Sequence, residues 1–403
     1  MITCQPPFIG ILFVFARAFF FINPQYTMNR SKHIQKSKRW IIKIGSALLT
    51  QDGKGLDYTA ISDWAQQIAI LRQQGVELVL VSSGAVAEGM SRMGWTKRPT
   101  GLPKLQAAAA IGQTGLIEAY ERQFQQYNIQ AAQVLLTHDD ISNRRRYLNA
   151  RNTLRTLLSL NTLPIVNEND TVAMDEIRLG DNDTLAALVA NLIEADLLVI
   201  LTDQKGLYTK DPRHHDDAEL ISEGSATDPD FVNFAGSAGT NIGTGGMATK
   251  VIAAQRAAHS GCATVIVSGR EKNVLSRLQQ GENLGTLLIP DNTQLVARKQ
   301  WIAGHLNPCG KLWLDRGATD AILNHGKSLL SIGVSKVEGK FSRGDVINCL
   351  DPAGNIIASG LVNYPKDDID KICGISSTDF AKVLGYSGEK ELIHRDNLVV
   401  FQQ

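Results

Sequence analysis

Five short apolar runs constrain the fold of this chain more than any other feature of its sequence. They are rich in Val, Ile and Leu and lie at Trp40–Ile44, Glu77–Val81, Leu163–Val166, Leu197–Leu201 and Ala263–Val267. Runs that are apolar on both faces are typical of strands buried between two layers of helices. Helical patterns lie between them, near 59–74, 104–127, 143–160, 182–193 and 247–259. This alternation predicts βαβ units, and therefore a three-layer α/β/α domain with a mainly parallel sheet.

The pattern changes after about residue 298, where the segments become short and strand-like. Val346–Leu350, Asn355–Ile357 and Gly360–Val362 are such segments, and the turn sequence Asp351-Pro352-Ala353-Gly354 predicts a hairpin between the first two. A chain of 403 residues is also longer than one hydrophobic core usually serves. We therefore predict an α/β domain over 39–290 and a small β-rich domain over 298–385.

Residues 1–38 are predicted to be a leader that is either disordered or not part of the functional protein. The apolar run Phe8–Ile22 has 15 residues and is interrupted by Arg17. It is shorter than the ~20 residues that span a bilayer, and it lacks the flanking features of a signal peptide. The sequence therefore gives a membrane anchor only weak support, and we expect the working protein to start at Met28. The basic stretch that follows Met28 is expected to be solvated.

Net charge and cysteine content argue against several classes of protein, among them disulfide-rich and zinc-knuckle proteins. The net charge is +1, so no overall field attracts nucleic acid or an anionic membrane. The five cysteines are scattered and include no Cys-x-x-Cys pair. Such a pattern argues against a disulfide framework or a zinc knuckle, and it indicates a cytoplasmic location.

Polar loops that contain glycine follow most of the predicted strands. They are Lys43-Ile44-Gly45-Ser46, Ser82-Ser83-Gly84-Ala85, Asn167-Glu168-Asn169-Asp170, Gly180-Asp181-Asn182-Asp183, Thr202-Asp203-Gln204-Lys205-Gly206 and Gly243–Lys250. The carboxyl ends of parallel strands share one edge of a sheet, where ligands bind. Lysines and glycines at strand ends and helix starts suggest a site for anions. Neither a P-loop nor a dinucleotide-binding Gly-x-Gly-x-x-Gly motif is present.

In order and spacing, these six motifs together resemble the amino acid kinase family, and within it the glutamate 5-kinases. The run Phe341-Ser342-Arg343-Gly344-Asp345-Val346 resembles the PUA domain that many bacterial members carry at the C-terminus. The resemblance implies ATP-dependent phosphorylation of the L-glutamate side-chain carboxylate to L-glutamyl 5-phosphate, the first step of proline biosynthesis. It also implies an amino acid kinase-like fold followed by a PUA-like barrel.

The resemblance assigns roles to single residues. Lys43 and Lys250 would contact the ATP phosphates and the transferring phosphoryl group, and Asp183 would orient their ammonium groups. Ser83, Asp170 and Asn182 match glutamate-binding positions. The nucleotide-binding positions are Lys43, Thr202, Asp203, Thr244, Gly245, Gly246, Met247, Ala248, Thr249 and Lys250. Mg²⁺ would bridge the phosphates largely through water, so no protein metal site is expected.

The residues themselves leave some of these roles open. Lys43 lies in an apolar strand, where a charge is seldom buried without a partner, and this favours function. Lys250 could equally be a solvated helix residue, and Asp181 and Asp183 could simply cap a helix. The cluster His214-His215-Asp216-Asp217 is expected to be solvated in a surface loop.

Two alternative functions are considered. Another acceptor of the same superfamily, such as aspartate, acetylglutamate or UMP, could replace glutamate. PUA domains also occur in RNA-binding proteins, but residues 298–391 hold 12 Lys and Arg against 11 Asp and Glu, which gives no basic excess. By resemblance we further expect a homo-oligomer, feedback inhibition by proline and functional coupling to glutamyl phosphate reductase.

Overall fold

The structure is a computed structural model that describes residues 30–50, 55–172, 182–236, 246–291, 308–386 and 388–401. The first sheet contains β1 (Arg39–Ile44), β2 (Glu77–Ser82), β3 (Ala131–Leu136), β4 (Leu163–Glu168), β5 (Leu197–Thr202), β6 (Glu223–Ser225), β7 (Ala263–Ser268) and β8 (Thr286–Ile289). Their order across the sheet is β3-β4-β2-β1-β5-β7-β8-β6. The pairs from β3 to β7 are parallel, and β8 is antiparallel to β7. The predicted mainly parallel sheet is confirmed.

Helices cover both faces of this sheet. They are α1 (Arg30–Lys36), α2 (Ser46–Leu49), α3 (Tyr58–Gln73), α4 (Ala85–Arg92), α5 (Leu102–Gln125), α6 (His138–Ser142), α7 (Arg144–Ser159), α8 (Asn182–Ile193), α9 (Pro229–Gly236), α10 (Met247–Ala258) and α11 (Val274–Gln279). One hydrophobic cluster joins the sheet to α1, α3, α5 and α11, and a second joins it to α7, α8 and α10. The three-layer α/β/α arrangement is therefore confirmed.

Strand β1 contributes side chains to both hydrophobic clusters, one on each face of the sheet. Trp40, Ile42 and Ile44 belong to the first cluster, whereas Ile41 belongs to the second. Successive side chains of a strand point to opposite faces, so a strand that is apolar at every position feeds two cores at once. Lys43 shares the face of Ile41, which is the face covered by α8.

Local sequence signals explain several helix starts. The Asp57 carboxylate accepts from the backbone N–H groups of Thr59 and Ala60, each at 3.0 Å, and so caps α3. Thr137 and Asp140 form a capping box at the start of α6. Helix α8 is buried over most of its length, which is why its sequence is apolar almost all round.

Three strands of the first sheet were not predicted from the sequence. β3 is an edge strand with only partial burial, and its apolar residues are interrupted by Gln133. β6 and β8 have only three and four residues and lie at the opposite edge. Short or half-exposed strands lack the continuous apolar run that marks a buried strand.

The predicted leader differs from the structure in its described part, residues 30–38, whereas residues 1–29 lie outside the described residues. Helix α1 packs into the first cluster through Ile34, which is fully buried. The Arg30 guanidinium donates to the backbone carbonyl groups of Ser222, Leu284 and Gly285. The folded domain therefore begins before residue 39, because this basic segment carries one apolar anchor and one buried cation.

A second sheet contains β9 (Gly310–Leu314), β10 (Val334–Gly339), β11 (Val346–Leu350), β12 (Ile356–Leu361) and β13 (Leu398–Val400), in the order β10-β9-β11-β12-β13. It is accompanied by α12 (Arg316–Leu323), α13 (Lys366–Ile372) and α14 (Phe380–Leu384). The β-rich second domain is confirmed, and so is the β11–β12 hairpin. The described pairs run in one open order, so closure into a barrel stays a prediction.

Two details of the second domain differ from the sequence prediction. The segments predicted separately at 355–357 and 360–362 are parts of one strand, β12. The domain also continues past residue 385, because β13 pairs with β12 and Leu392, Ile393 and Leu398 are buried in the core of this domain. Among the described residues, no helix combines the length and the apolar character needed to cross a membrane.

Candidate active site

Lys43 places an ammonium group in the middle of the first sheet. It lies next to last in β1, where it is aligned with Val81 of β2 and Ile200 of β5. Gly45 follows at the strand end, and its N–H donates to the Leu201 carbonyl at 3.3 Å. Lys43 therefore lies near the carboxyl ends of the three central strands.

Asp183 lies between Lys43 and Lys250. Its Oδ1 is 2.5 Å from Lys43 Nζ, and its Oδ2 is 3.0 Å from Lys250 Nζ. The Thr249 hydroxyl also donates to Oδ2, at 3.2 Å. Asp183 is in the first turn of α8 and Lys250 in the first turn of α10, so the α8 face of the sheet brings all three charges together.

The burial of this cluster makes it electrostatically strong. Lys43 is 3% exposed, Lys250 is 4% exposed, and Asp183 is 0% exposed. Charges interact more strongly away from water, and a buried charge is tolerated when it is paired. Two ammonium groups and one carboxylate leave an excess of one positive charge at the carboxyl edge of the sheet. Such a cluster can attract and hold an anion.

Ser83 and Asn182 lie together beside this cluster. Asn182 Nδ2 donates to Ser83 Oγ at 2.8 Å, to the Ser82 carbonyl at 2.9 Å and to Asn167 Oδ1 at 3.0 Å. Asn182 immediately precedes Asp183, so the start of α8 carries both the amide and the buried carboxylate. Two of the three predicted glutamate-binding residues are thus in direct contact.

Gly84 allows the chain to turn sharply between Ser83 and α4. Its φ of 104° lies in the left-handed region, which favours glycine. The first turn of α4 therefore starts directly at the carboxyl end of β2. A helix start of this kind presents backbone N–H groups that suit an anion.

Asp170, the third predicted glutamate-binding residue, lies two residues after β4 and is partly exposed. The preceding residue, Asn169, is tied to the sheet because its N–H donates to the Leu136 carbonyl at 2.9 Å. Asp170 is therefore at the same edge of the sheet as Ser83 and Asn182, at the end of the strand that neighbours β2.

A cleft at the end of β5 brings together most of the described residues predicted to bind nucleotide. Its lining includes Thr202, Asp203, Gly246, Met247 and Lys250. Ala248 is turned towards a hydrophobic cluster, and Thr249 contacts Asp183 as described above. Thr244 and Gly245 lie outside the described residues, as do Gly180 and Asp181.

The same cleft is lined by residues that the sequence did not single out, among them Lys210, Asp211 and Arg213. Asp211 is buried, and hydrogen bonds from the Arg213 side chain and backbone lower its pKa to about 2. His214 to Asp217 are exposed, in agreement with the expectation for that cluster. A buried aspartate in a loop of polar residues leaves no apolar pattern, so the sequence could not reveal it.

Asn167 and Gln113 lie next to Asn182, and the sequence assigned no role to either of them. Asn167 is 3% exposed, and its Nδ2 donates to Gln113 Oε1 of α5 at 2.8 Å. Asn167 belongs to a motif quoted above, but Gln113 is one of many polar residues on a helix and had no distinguishing signal. Within the described ranges, no group of three or more His, Cys, Asp or Glu side chains is placed to hold a metal ion.

Comparisons with known proteins identify the family of this chain. The model of the amino acid kinase family matches residues 38–268, and that of the PUA domain matches residues 310–384. The glutamate 5-kinase of Thioalkalivibrio sulfidiphilus is 62% identical over 369 residues, which are 92% of this chain and 98% of that protein. The glutamate 5-kinase of Chromohalobacter salexigens is 58% identical over 367 residues, which are 91% of this chain and 97% of that protein.

Among solved structures, the UMP kinase of Bacillus anthracis is 18% identical, with a TM-score of 0.45, over 64% of this chain and 97% of that one. The two relatives described above are far closer in sequence, and they extend through both domains. The chain belongs to the amino acid kinase family and, within it, to the glutamate 5-kinases.

Proposed function

We propose that the chain transfers the γ-phosphoryl group of ATP to the side-chain carboxylate of L-glutamate, which gives L-glutamyl 5-phosphate and opens proline biosynthesis. As a member of the amino acid kinase family, the chain is a kinase that uses ATP. The observation that carries the proposal is the buried Lys43–Asp183–Lys250 cluster beside the contact between Ser83 and Asn182. The cluster suits phosphoryl transfer, and its neighbours suit an amino acid.

The acceptor needs no general base. A glutamate carboxylate has a reference pKa of about 4.3, so it is already ionised near neutral pH. Asp183 is suited to a different task, since each of its oxygens is engaged by one lysine. Asp183 holds the two ammonium groups in place, and it neither abstracts a proton nor attacks.

The main barrier is the repulsion between an anionic acceptor and an anionic nucleotide. In phosphoryl transfer, positioning and charge stabilisation supply most of the catalysis. Lys43 is at the centre of the carboxyl edge, and Lys250 lines the cleft at the end of β5. Lys43 therefore stabilises charge on the side of the transferring phosphoryl group that faces the acceptor. Lys250 stabilises charge on the side that faces the nucleotide.

The amino acid is held by Ser83, Asn182 and Asp170. A hydroxyl group, an amide and a carboxylate supply the donors and acceptors that a carboxylate and an ammonium group require. Asp170 provides negative charge for the substrate ammonium group. The nucleotide occupies the cleft lined by Thr202, Asp203, Gly246 and Met247.

Mg²⁺ accompanies the nucleotide in this proposal. The described residues fit an ion that is carried on the phosphates, because both oxygens of Asp183 are engaged by lysines and Asp203 is a single exposed carboxylate. A bound ion would neutralise charge on the phosphates. Lys43 and Lys250 then act on the charge that remains on the transferring group.

The test is acyl-phosphate formation, trapped as the hydroxamate, with ATP, Mg²⁺ and one candidate acid at a time. We expect product with L-glutamate and little with aspartate or acetylglutamate. Phosphorylation of UMP, followed as nucleoside diphosphate, is measured in parallel. Turnover of another acceptor in preference to glutamate would contradict the proposal.

We also propose a cellular location, an oligomeric state and a partner for the enzyme. Among the described residues, Cys262, Cys349 and Cys373 are free thiols, which supports a reducing cytoplasm. Membership of the family supports a homo-oligomer and functional coupling to glutamyl phosphate reductase. Sedimentation of the purified chain, alone and with the reductase, tests both.

A further inference from the structure

A chain of hydrogen bonds runs from α5 to the amino acid site. Gln113 Oε1 accepts from Asn167 Nδ2 at 2.8 Å, and Asn167 Oδ1 accepts from Asn182 Nδ2 at 3.0 Å. Gln113 is half-buried and Asn167 is buried, so little water competes for these groups. Gln113 thus reaches the amide of Asn182 through a single intermediary.

Backbone groups fix which way each amide points. The Glu168 N–H can only donate, and it donates to Asn167 Oδ1 at 2.9 Å. The Ser82 carbonyl can only accept, and it accepts from Asn182 Nδ2 at 2.9 Å. The positions of the oxygen and nitrogen in the side-chain amides of Asn167 and Asn182 are therefore fixed, because each has a backbone neighbour that can act only as donor or only as acceptor.

This orientation sets the polarity of the amino acid site. Because Asn182 Nδ2 has no lone pair to offer, Ser83 Oγ is the acceptor in their 2.8 Å contact. The Ser83 hydroxyl proton is then directed elsewhere and can be donated to a ligand. The two hydrogens of Asn182 Nδ2 are shared among three acceptors, and none of the described residues donates to Asn182 Oδ1. The site therefore presents one hydroxyl donor and one amide acceptor.

Close helix packing holds Gln113 in position. A Cβ atom on Gly112 would lie 1.8 Å from the Ala85 carbonyl oxygen, and one on Gly89 would lie 1.8 Å from the Ala108 carbonyl oxygen. The backbones of α4 and α5 are thus in direct contact at Gly112, the residue before Gln113. Because Gly84 is the N-cap of α4 and Gly112 lies against Ala85, the helix that carries Gln113 packs next to the loop that carries Ser83.

We propose that Gln113 is a positioning residue for substrate recognition. By accepting from Asn167 it keeps Asn182 Oδ1 directed at the ammonium group of the amino acid, and it leaves the Ser83 hydroxyl to donate to a carboxylate. This inference rests on the proposed function for the identity of the substrate. Without Gln113, the Asn167 amide would keep one buried donor unpaired.

Rotation of the Asn167 amide cannot compensate for the loss of Gln113. A half turn would place Nδ2 against the Glu168 N–H and the Asn182 amide, so that donors would face donors. Asn167 would have to shift instead, and Asn182 would shift with it. The effect should therefore appear in binding of the amino acid rather than of the nucleotide.

The experiment compares the full-length wild type with Gln113→Met, Gln113→Glu and Gln125→Met. Met removes the acceptor at nearly constant volume, Glu keeps an acceptor, and Gln125 is an exposed residue of the same helix. We expect Gln113→Met to raise the KM for glutamate about 10-fold, the usual effect of one lost hydrogen bond. The KM for ATP and kcat should change far less. Gln113→Glu should raise the KM for glutamate less than Gln113→Met does, because it keeps an acceptor for Asn167. Gln125→Met should stay within about threefold of the wild type.

Glutarate, which lacks the ammonium group, supplies a readout that a merely structural role would not move. The wild type should prefer glutamate strongly, because an acceptor aimed at the ammonium group is left unpaired by glutarate. Gln113→Met should lose much of that preference, and Gln113→Glu should keep it. Calorimetric binding of both acids without ATP repeats the comparison independently of turnover.

The outcomes separate the two proposals. An unchanged KM and an unchanged glutamate preference in Gln113→Met would overturn the positioning role. If that variant does not fold, Gln113→Glu decides, because a loss of glutamate preference there would contradict the assigned polarity. A wild type that binds glutamate without forming acyl phosphate would overturn the proposed function alone, and one that neither binds nor phosphorylates glutamate would overturn both.

Discussion

Lys43 reaches Asp183 from the middle of the sheet: its Nζ lies 2.5 Å from Oδ1, and the two side chains are 4% and 0% exposed. Lys250 contacts the other oxygen of the same carboxylate at 3.0 Å. The cluster therefore has one positive charge more than it needs for neutrality. Because of this excess charge, removal of a lysine and removal of the aspartate should have different effects on the stability of the fold.

Replacement of Lys43 should impair catalysis much more than folding. In Lys43→Met, Asp183 keeps Lys250, so a neutral buried pair remains. We expect kcat to fall by about 10²–10³, the range for removal of one group that stabilises a transition state. The melting temperature should change little. The control is Lys205→Met, which removes an exposed lysine in the loop after β5. A Lys43→Met enzyme with wild-type kcat would remove this residue from the active site.

Replacement of Asp183 should impair folding itself. Asp183→Asn leaves two buried ammonium groups close together without their shared counter-charge. Breaking a buried ion pair from one side typically costs about 3–5 kcal/mol, and we expect a loss of that order in urea unfolding. Asp63→Asn, on the exposed face of α3, should stay within about 0.5 kcal/mol of the wild type. Equal stability of the two variants would contradict the charge balance described here.

The stability contributed by the loop that lines the cleft at the end of β5 should depend on pH. Hydrogen bonds from Arg213 lower the pKa of Asp211 from 3.8 to about 2. A group whose pKa is lower in the folded state stabilises the fold above its unfolded pKa, and this contribution is lost as the pH falls through the folded value. The difference in melting temperature between wild type and Asp211→Asn should thus be full at pH 6 and shrink between pH 4 and 2. Asp216→Asn, at an exposed neighbour, should match the wild type throughout. A constant difference across this range would be inconsistent with the Asp211–Arg213 pair.

The α4–α5 contact should tolerate no added methyl group. Gly112→Ala would bring Cβ to 1.8 Å from the Ala85 carbonyl oxygen, and that oxygen belongs to helix backbone that cannot yield easily. Overpacking of this kind usually costs about 1–3 kcal/mol, which urea unfolding can measure. Gly101→Ala is the matched control, since a Cβ there meets no atom within 4 Å. If both variants were equally stable, the helices would have to be farther apart than described.

The start of the folded domain can be located by truncation. A chain that begins at Met28 keeps α1 and should retain the wild-type melting temperature and activity. A chain that begins at Lys38 loses burial of Ile34 and the contacts of Arg30 with three carbonyl groups. Burial of one large aliphatic side chain stabilises by about 1.5–3 kcal/mol, so a clear decrease in thermal stability is expected. Identical melting curves would show that α1 contributes nothing to the fold.

The sequence predicted those elements whose physical cause is local. β1, β2, β4, β5 and β7 are apolar on both faces, so each run is continuous and recognisable. Helix α8 begins and ends where its pattern predicted. Lys43 also stood out, because a charged residue inside a buried strand requires a partner. The partner itself, Asp183, was proposed by resemblance rather than from the pattern.

Other features depend on contacts between distant segments and leave no local trace. Gln113 and Asn167 are 54 residues apart, and neither shows by itself that the two amides meet. Arg30 resembled part of a solvated basic stretch, although its guanidinium contacts a carbonyl 254 residues away. Asp211 is buried among polar neighbours in a loop. In each case tertiary contacts, rather than periodicity or residue type, determine the environment.

The docking of α1 has a consequence for synthesis of the chain. Arg30 and Ile34 are synthesised well before their partners. The ribosome adds Leu284 and Gly285, whose carbonyl groups Arg30 contacts, more than 250 residues after Arg30. Contacts of such high sequence separation form late, because a long loop must close first. Helix α1 can therefore dock only after nearly the whole first domain has been synthesised, and its docking then completes the packing around Ile34.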